Sequence, residues 1–235
     1  MTASGRTTGP QPVTIDVGDS TRVSGLWQAP AGAKSCYVMA HGAGAGMSHP
    51  FMAAFANELS ERGIATLRYQ FPYMDRGSKR PDAPKVAHAA VRGAVGKASL
   101  LMPDVALYAG GKSFGGRMTS QAQAISPLAG VRGLVFAGFP LHPAGKPASE
   151  RGDHLFDVQI PMLFLQGTRD ELADLALLTE LVNQLGARAR LALVEEADHS
   201  FHVPARSGRR DSDVVREMAN TAAEWIAGIA GPRSK

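Results

Sequence analysis

The sequence predicts an α/β architecture, a largely parallel central sheet flanked by helices. Two observations carry that prediction. Apolar runs of strand length recur along the chain, and between them lie amphipathic stretches with apolar residues at helical spacing. A third observation bounds it: 235 residues with 44% hydrophobic content supply one well-packed core and too little for two. Residues 13–235 are therefore expected to form a single domain. Residues 1–12, rich in Thr, Ser, Gly and Pro and without the apolar centre of a secretion signal, read as a flexible lead-in.

The elements follow in order. Residues 13–17 and 22–28 read as an opening antiparallel pair, turned around Gly18-Asp19-Ser20. Residues 36–40 form a buried strand ending at His41-Gly42. A helix over 49–62 follows, since Phe51, Phe55 and Leu59 recur on one face, and Gly63 stops it. Residues 64–69 are the next strand. A loop rich in charge and proline, 70–84, leads to a long alanine-rich helix ending near Met102. The run Val105-Ala106-Leu107-Tyr108-Ala109 is a strand, followed by a sharp turn and a helix over 114–125.

The alternation continues in the second half. Strands are expected at 133–137, 161–166 and 189–195. Leu175, Leu178, Leu181, Val182 and Leu185 mark a helix that stops at Gly186, and Val215, Met218, Ala222, Trp225, Ile226 and Ile229 mark a final helix over 212–229. The stretch 139–160 is too short to hold a helical lid.

Composition removes several classes of function. No apolar segment reaches membrane-spanning length. The single cysteine, Cys36, excludes an intramolecular disulfide, fits a reducing cytoplasm, and lies in an apolar run that favours a buried thiol. The net charge of +4 is mild. Arg206, Arg209 and Arg210 cluster without interleaved aromatics, so they read as solvated loop charge, with a preference for anionic substrates as the alternative. The expected partner is a small molecule, not nucleic acid or membrane, for a monomer or small homo-oligomer.

The most informative stretch is Gly111-Lys112-Ser113-Phe114-Gly115, a G-x-S-x-G sequence placed directly after a strand and before a helix. On such a turn a serine is pushed out of the sheet's end in a strained backbone, and flanking glycines avoid clashes with the neighbouring elements. Gly-Lys-Ser after a strand also resembles the end of a phosphate-binding loop. The leading glycine of that loop would fall at Ala106, inside the strand. A glycine turn with a solvent-facing serine is the remaining bland reading. The Lys112 side chain has two possible directions, toward the site or away from it.

A serine hydroxyl needs a base, and the base needs an orienting carboxylate. Just past the 161–166 strand stands Asp170 in Gly167-Thr168-Arg169-Asp170, with Glu171 and Asp174 as alternatives; Asp174 fits a helix N-cap better. Just past the last strand stands His199 in Asp198-His199-Ser200-Phe201, with His202 as its rival. An oxyanion needs backbone donors. Phe114 N–H is one, and the small-residue loop His41-Gly42-Ala43-Gly44-Ala45-Gly46 offers Ala43, with Gly44 second. Its strictly alternating glycines do not fit a dinucleotide-binding G-x-G-x-x-G, and His41 reads as a brace for the loop. The histidines at 49, 88, 142 and 154 are scattered, so neither a metal nor a cofactor is expected.

His41-Gly42-Ala43-Gly44, Gly111-Lys112-Ser113-Phe114-Gly115-Gly116, Gly167-Thr168-Arg169-Asp170 and Asp198-His199-Ser200-Phe201 together resemble a small α/β-hydrolase family. It is close to the dienelactone hydrolases and is named for a subunit of the NSL histone acetyltransferase complex and a testis-expressed protein. Phe71-Pro72-Tyr73-Met74, Pro140-Leu141-His142-Pro143 and Gly145-Lys146-Pro147 are similar to stretches of the same family. The resemblance implies Ser113 as nucleophile, Asp170 as acid and His199 as base. Dienelactone hydrolases carry a cysteine nucleophile where this chain has serine, a departure that speaks against lactone hydrolysis of their kind.

The leading expectation is a serine hydrolase acting on esters or thioesters of small to medium acyl groups. Its site would be open and shallow, without interfacial activation, with a rim built from Phe71, Tyr73, Phe114, His142 and Phe201. The alternative, from a different class, is a non-catalytic binding or scaffold module that keeps the fold.

Overall fold

The computed structural model describes residues 9–18 and 20–229. Most of the 1–12 segment and Asp19 of the first turn lie outside the described residues. Eight strands form one sheet in the order β1-β2-β4-β3-β5-β6-β7-β8. The strands are β1 (Gln11–Asp16), β2 (Arg22–Gln28), β3 (Ser35–Ala40), β4 (Ile64–Tyr69), β5 (Ala106–Lys112), β6 (Val131–Ala137), β7 (Met162–Gly167) and β8 (Ala189–Val194). β1 pairs antiparallel with β2, and β2 antiparallel with β4; every other pairing is parallel. β1 begins at Gln11, so Gln11 and Pro12 pair with Trp27 and Leu26 and are not lead-in.

The parallel strands read as continuous apolar runs because helices cover both faces of the sheet. Side chains alternate between those faces. In β3, Cys36, Val38 and Ala40 join one core, while Tyr37 and Met39 join the other. The first core is closed by α3 (Pro84–Leu101), α4 (Phe114–Ile125) and α5 (Leu175–Leu185); the second by α1 (Pro50–Glu61) and α6 (Asp211–Ile229). Cys36 is fully buried, and that burial pushes its thiol up to about 12. The alanines of α3 bring it close to the sheet; a Cβ on Gly93 would lie 2.4 Å from the Asp16 carbonyl oxygen.

Punctuation follows local chemistry. α1 starts with Pro50 after the His49 cap and ends before Gly63, whose φ of +75° suits glycine. Asp174 caps α5 by accepting from Leu177 N–H, and Gly186 follows the helix at φ +63°. Two short elements carry too few periodic residues to be seen in the sequence: α2 (Pro72–Asp75) and a 3₁₀ stretch, Glu150–Asp157. That 3₁₀ stretch packs on α4 and α5 through the buried Leu155 and the contact of Gly152 with Leu181, and it does not cap the sheet edge as a lid. No described helix is long and apolar enough to cross a membrane.

The chain leaves β3 toward β4 on one side, whereas β5 lies on the other. Such a switch point opens a crevice at the strands' carboxyl ends. The loops after β3, β5, β6, β7 and β8 all emerge along that edge.

Candidate active site

Ser113 stands between β5 and α4 with φ +50° and ψ −117°, a conformation that disfavours any side chain. The neighbours hold it there. Its N–H donates to the Ala137 carbonyl at 3.0 Å, and its carbonyl accepts the Arg117 N–H at 3.1 Å. A Cβ on Gly111 would sit 2.1 Å from the Ala40 oxygen, and one on Gly115 would sit 2.6 Å from that same atom. Both glycines of the motif exist because β3's backbone runs through the space a side chain would need. Gly110, outside the motif, is held as tightly: its Cβ would lie 1.9 Å from the Val135 oxygen.

The loop after β7 carries Asp170, and the loop after β8 carries His199. His199 Nδ1 lies 2.8 Å from Asp170 Oδ2, and His199 Nε2 lies 2.8 Å from Ser113 Oγ. A neutral imidazole with its proton on Nδ1 satisfies both contacts, donating to the carboxylate and accepting from the hydroxyl. The Asp170 carboxylate has no exposed surface. Besides His199, Gln166 Nε2 donates to its Oδ2 at 2.6 Å, and Leu172 N–H donates to its Oδ1 at 2.8 Å. Gln166 is itself fixed, since its Oε1 accepts the Phe139 N–H. Gly167 lets the two loops approach; a Cβ there would lie 2.4 Å from the Ala197 oxygen.

The 41–47 loop faces Ser113 from the end of β3. His41 is buried and braces it: Nδ1–H donates to the Gly42 carbonyl at 2.7 Å, and Nε2 accepts the Phe71 N–H at 3.1 Å. Burial holds the His41 pKa below its ordinary value, which suits this neutral form. Gln70 Oε1 accepts the Met47 N–H, and an Arg68 guanidinium N–H donates to the Met47 carbonyl. The N–H groups of Ala43 and Phe114 have no hydrogen-bond acceptor among the described residues, whereas the Gly44 N–H is taken by the Tyr73 hydroxyl at 3.1 Å. Gly44 therefore drops out as a free oxyanion donor.

A model of the family described as an alpha/beta hydrolase domain matches residues 33–227. The chain belongs to the α/β hydrolases. Among solved structures, it is similar to a dienelactone hydrolase from Anabaena variabilis, with 22% identity and a TM-score of 0.75, covering 94% of this chain and 99% of that one. It is also similar to XC6422 of Xanthomonas campestris, an α/β serine hydrolase without a lid: 20% identity, TM-score 0.73, covering 93% and 95% of the two chains. Est1E from Butyrivibrio proteoclasticus matches at 18% identity and a TM-score of 0.68, covering 94% and 100%. The fold is that of a dienelactone-hydrolase-like α/β hydrolase without a lid.

A cavity of about 350 Å³ opens beside the Ser113 hydroxyl of this α/β hydrolase. Phe51, Met52 and Leu172 give it apolar walls; the exposed Ala43, Ala45, His49 and Ser200 form its rim, and Lys112 enters from the side. A larger hollow of about 620 Å³ lies beside α3 and residues 127–129, before β6, and holds no paired nucleophile and base. Chemistry, not size, singles out the smaller one. Among the described residues no three His, Cys, Asp or Glu side chains are grouped to hold a metal ion.

The rim expected from the sequence is corrected. Phe71, Tyr73, His142 and Phe201 are all buried and none lines the cavity. Phe71 packs edge-on to His41 and to Phe114, and Tyr73 stacks behind it, so the three aromatics support the 41–47 loop and the turn from within. His142 pins the loop after β7: Nδ1–H donates to the Pro143 carbonyl, and Nε2 accepts the Asp174 N–H at 2.6 Å. Phe201 stacks on Phe51 at 5.3 Å, one layer beneath the cavity wall. His202 is exposed and pairs with Asp211 at 3.0 Å, away from Ser113. The three arginines of the 206–210 loop are each ion-paired, with Glu196, Glu217 and Asp213.

Sequence reasoning missed Phe51, Met52, Leu172 and Gln166. Phe51 and Met52 carry the same periodic signal as any core residue of α1. Gln166 had a faint signal: one amide at the end of an otherwise apolar strand.

Proposed function

We propose that this chain is a serine hydrolase that cleaves esters or thioesters of small to medium acyl groups through an acyl-serine intermediate. The observation that carries the reading is the unbroken hydrogen-bonded chain Ser113 Oγ to His199 to Asp170, with the serine on a strained turn facing an open cavity.

The steps follow from the geometry. His199 Nε2 takes the Ser113 proton as Oγ attacks the carbonyl carbon, and the ionised Asp170 stabilises the imidazolium through Nδ1–H. Negative charge develops on the former carbonyl oxygen, and the Phe114 and Ala43 N–H groups donate to it. The tetrahedral adduct collapses, the leaving alkoxide or thiolate takes the proton from Nε2, and the acyl group remains on Oγ. Water then gives a proton to Nε2 and attacks the acyl carbon. Collapse returns the proton to Oγ and frees the acid. A cavity of about 350 Å³ is near the small end of the range for ligand pockets, roughly 300–1,000 Å³, which favours short acyl groups.

The test is a fluorophosphonate probe together with p-nitrophenyl esters of rising chain length. Wild-type protein should be labelled at Ser113 and turn over the short esters. Ser113→Ala should lose labelling and on the order of 10⁴-fold or more of the rate. A p-nitrophenyl acetate rate unchanged by Ser113→Ala, with no labelling of the wild type, would overturn the reading in favour of a binding module.

A further inference from the structure

Lys112 ends β5 immediately before Ser113, and its side chain turns inward beneath the base loop. Its ammonium donates to the backbone carbonyl of His199 and lies 5.1 Å from the centroid of the Phe201 ring. The backbone of Gly138, after β6, marks where three groups meet. A Cβ there would lie 3.0 Å from Lys112 Nζ, 3.4 Å from Asp170 Oδ2 and 3.5 Å from His199 Nδ1. Glycine at 138, with φ +66°, is what leaves room for the ammonium beside the acid and the base.

The loop held by this contact is otherwise under tension. Glu196 and Phe201, at its two ends, are non-glycine residues with φ of +61° and +64°. The Asp198 carboxylate ties the Ser200 and His202 N–H groups, and Thr168 Oγ1 accepts the Glu196 N–H. Those contacts hold the loop on either side of His199, and Lys112 holds His199's own carbonyl. An inward ammonium without a carboxylate in direct contact is costly, and an apolar side chain of similar length would fill its place.

We propose that Lys112 is a positioning residue for the His199 base, gripping the residue's carbonyl so that the imidazole stays aligned between Asp170 and Ser113. The proposal rests on the serine-hydrolase reading for its kinetic consequence, though not for its structural one. The charged and titratable groups around the ammonium are Asp170 from the loop after β7, and Asp198 and His199 from the loop after β8; His49 stands on the rim of the same cavity. Burial pushes the Lys112 pKa down to about 8, with Asp170 and Asp198 opposing the fall. The cation therefore begins to lose its charge at mildly alkaline pH, where an arginine keeps it.

The experiment compares wild type, Lys112→Met and Lys112→Arg. With p-nitrophenyl acetate, Lys112→Met should lower kcat roughly ten- to hundredfold with KM within about twofold, as expected for a misaligned base. Lys112→Arg should restore most of that loss and keep kcat flat above pH 8, where the wild type declines. A second readout needs no turnover: the NMR resonance of the His199 Nδ1 proton should be lost or broadened in Lys112→Met at an unchanged melting temperature, and retained in Lys112→Arg. A sharp Nδ1 proton in folded Lys112→Met overturns the proposal even if the protein turns over no ester. Equal kcat and equal pH profiles in all three proteins overturn it as well.

Discussion

The two halves of the site are built by different means. On the Ser113 side, the turn at 110–116 is fixed by backbone against backbone: Gly110, Gly111 and Gly115 sit where a methyl group would overlap the chain of β6 or β3. On the Asp170 and His199 side, the loops after β7 and β8 meet backbone to backbone at Gly167 and Ala197, where the Arg169 N–H also donates to the Ala197 carbonyl, and side chains fix the rest. Gln166, His142, Thr168, Asp198 and Lys112 each spend a hydrogen bond on a loop backbone or on the Asp170 carboxylate. The difference predicts how each half fails. A close-packed backbone has no soft response, so an added atom there unsettles the fold. A hydrogen-bonded loop shifts by fractions of an ångström, so a deletion there impairs chemistry before it impairs folding.

Gly111→Ala gives the largest effect expected. With the Ala40 oxygen 2.1 Å from the new methyl carbon and φ at +143°, we expect a loss of more than about 4 kcal/mol and little soluble protein, read by expression and thermal melt. A well-folded, active Gly111→Ala would break the comparison outright. Next comes Gln166→Leu, which removes a donor from Asp170 and leaves the Phe139 N–H without its acceptor. Its stability should fall by about 1–3 kcal/mol, with kcat reduced more than tenfold while circular dichroism stays native. If stability collapsed and the residual kcat of the folded fraction were normal, the acid side would be no softer than the turn.

His142→Ala should be milder. It releases the Asp174 N–H, costing about 1–2 kcal/mol in a denaturant titration, with kcat within a few-fold of wild type because Asp170 keeps its three donors. The smallest effect concerns acid. His41, behind the Ser113 turn, and His154, whose Nε2 lies 2.7 Å from Ser120 Oγ, both have their pKa lowered chiefly by burial, His154 down to about 4. Between about 6.5 and 4 the unfolded chain binds the His154 proton and the folded chain does not, and the lowered His41 acts in the same direction. Stability therefore falls as pH drops through that window. The melting temperature should decline below about pH 6.5, and His154→Gln should flatten part of that decline.

Legibility in the sequence divides along the same line. Residues whose role is fixed by backbone geometry leave a local signature: Gly111 and Gly115 around a serine, Gly63 and Gly186 after helices, Asp174 before one. From these the alternation of elements is readable, and with it the order of Ser113, Asp170 and His199, three side chains that one run of hydrogen bonds joins in the structure. Residues whose role is fixed by meeting a distant segment leave no such mark. Phe71, Tyr73 and Phe201 looked like rim aromatics, yet each found a partner ring in the core and turned inward, because burying a ring is worth about 1.5–3 kcal/mol. His142 was misread for the same reason, its true partner lying 32 positions away. The inward direction of Lys112 depends on a glycine 26 positions later, which no window around the motif contains.

Cys36 gives the molecule a practical property. As the sole cysteine of the sequence, sealed in the core with its thiol raised to about 12, it is silent toward alkylating and thiol-exchanging reagents in the folded state. The native chain is thus a blank background for thiol chemistry. A single sulfur placed at position 113 would report on that site alone, so a fluorophore or a mixed disulfide introduced there would carry signal from the cavity and from nowhere else.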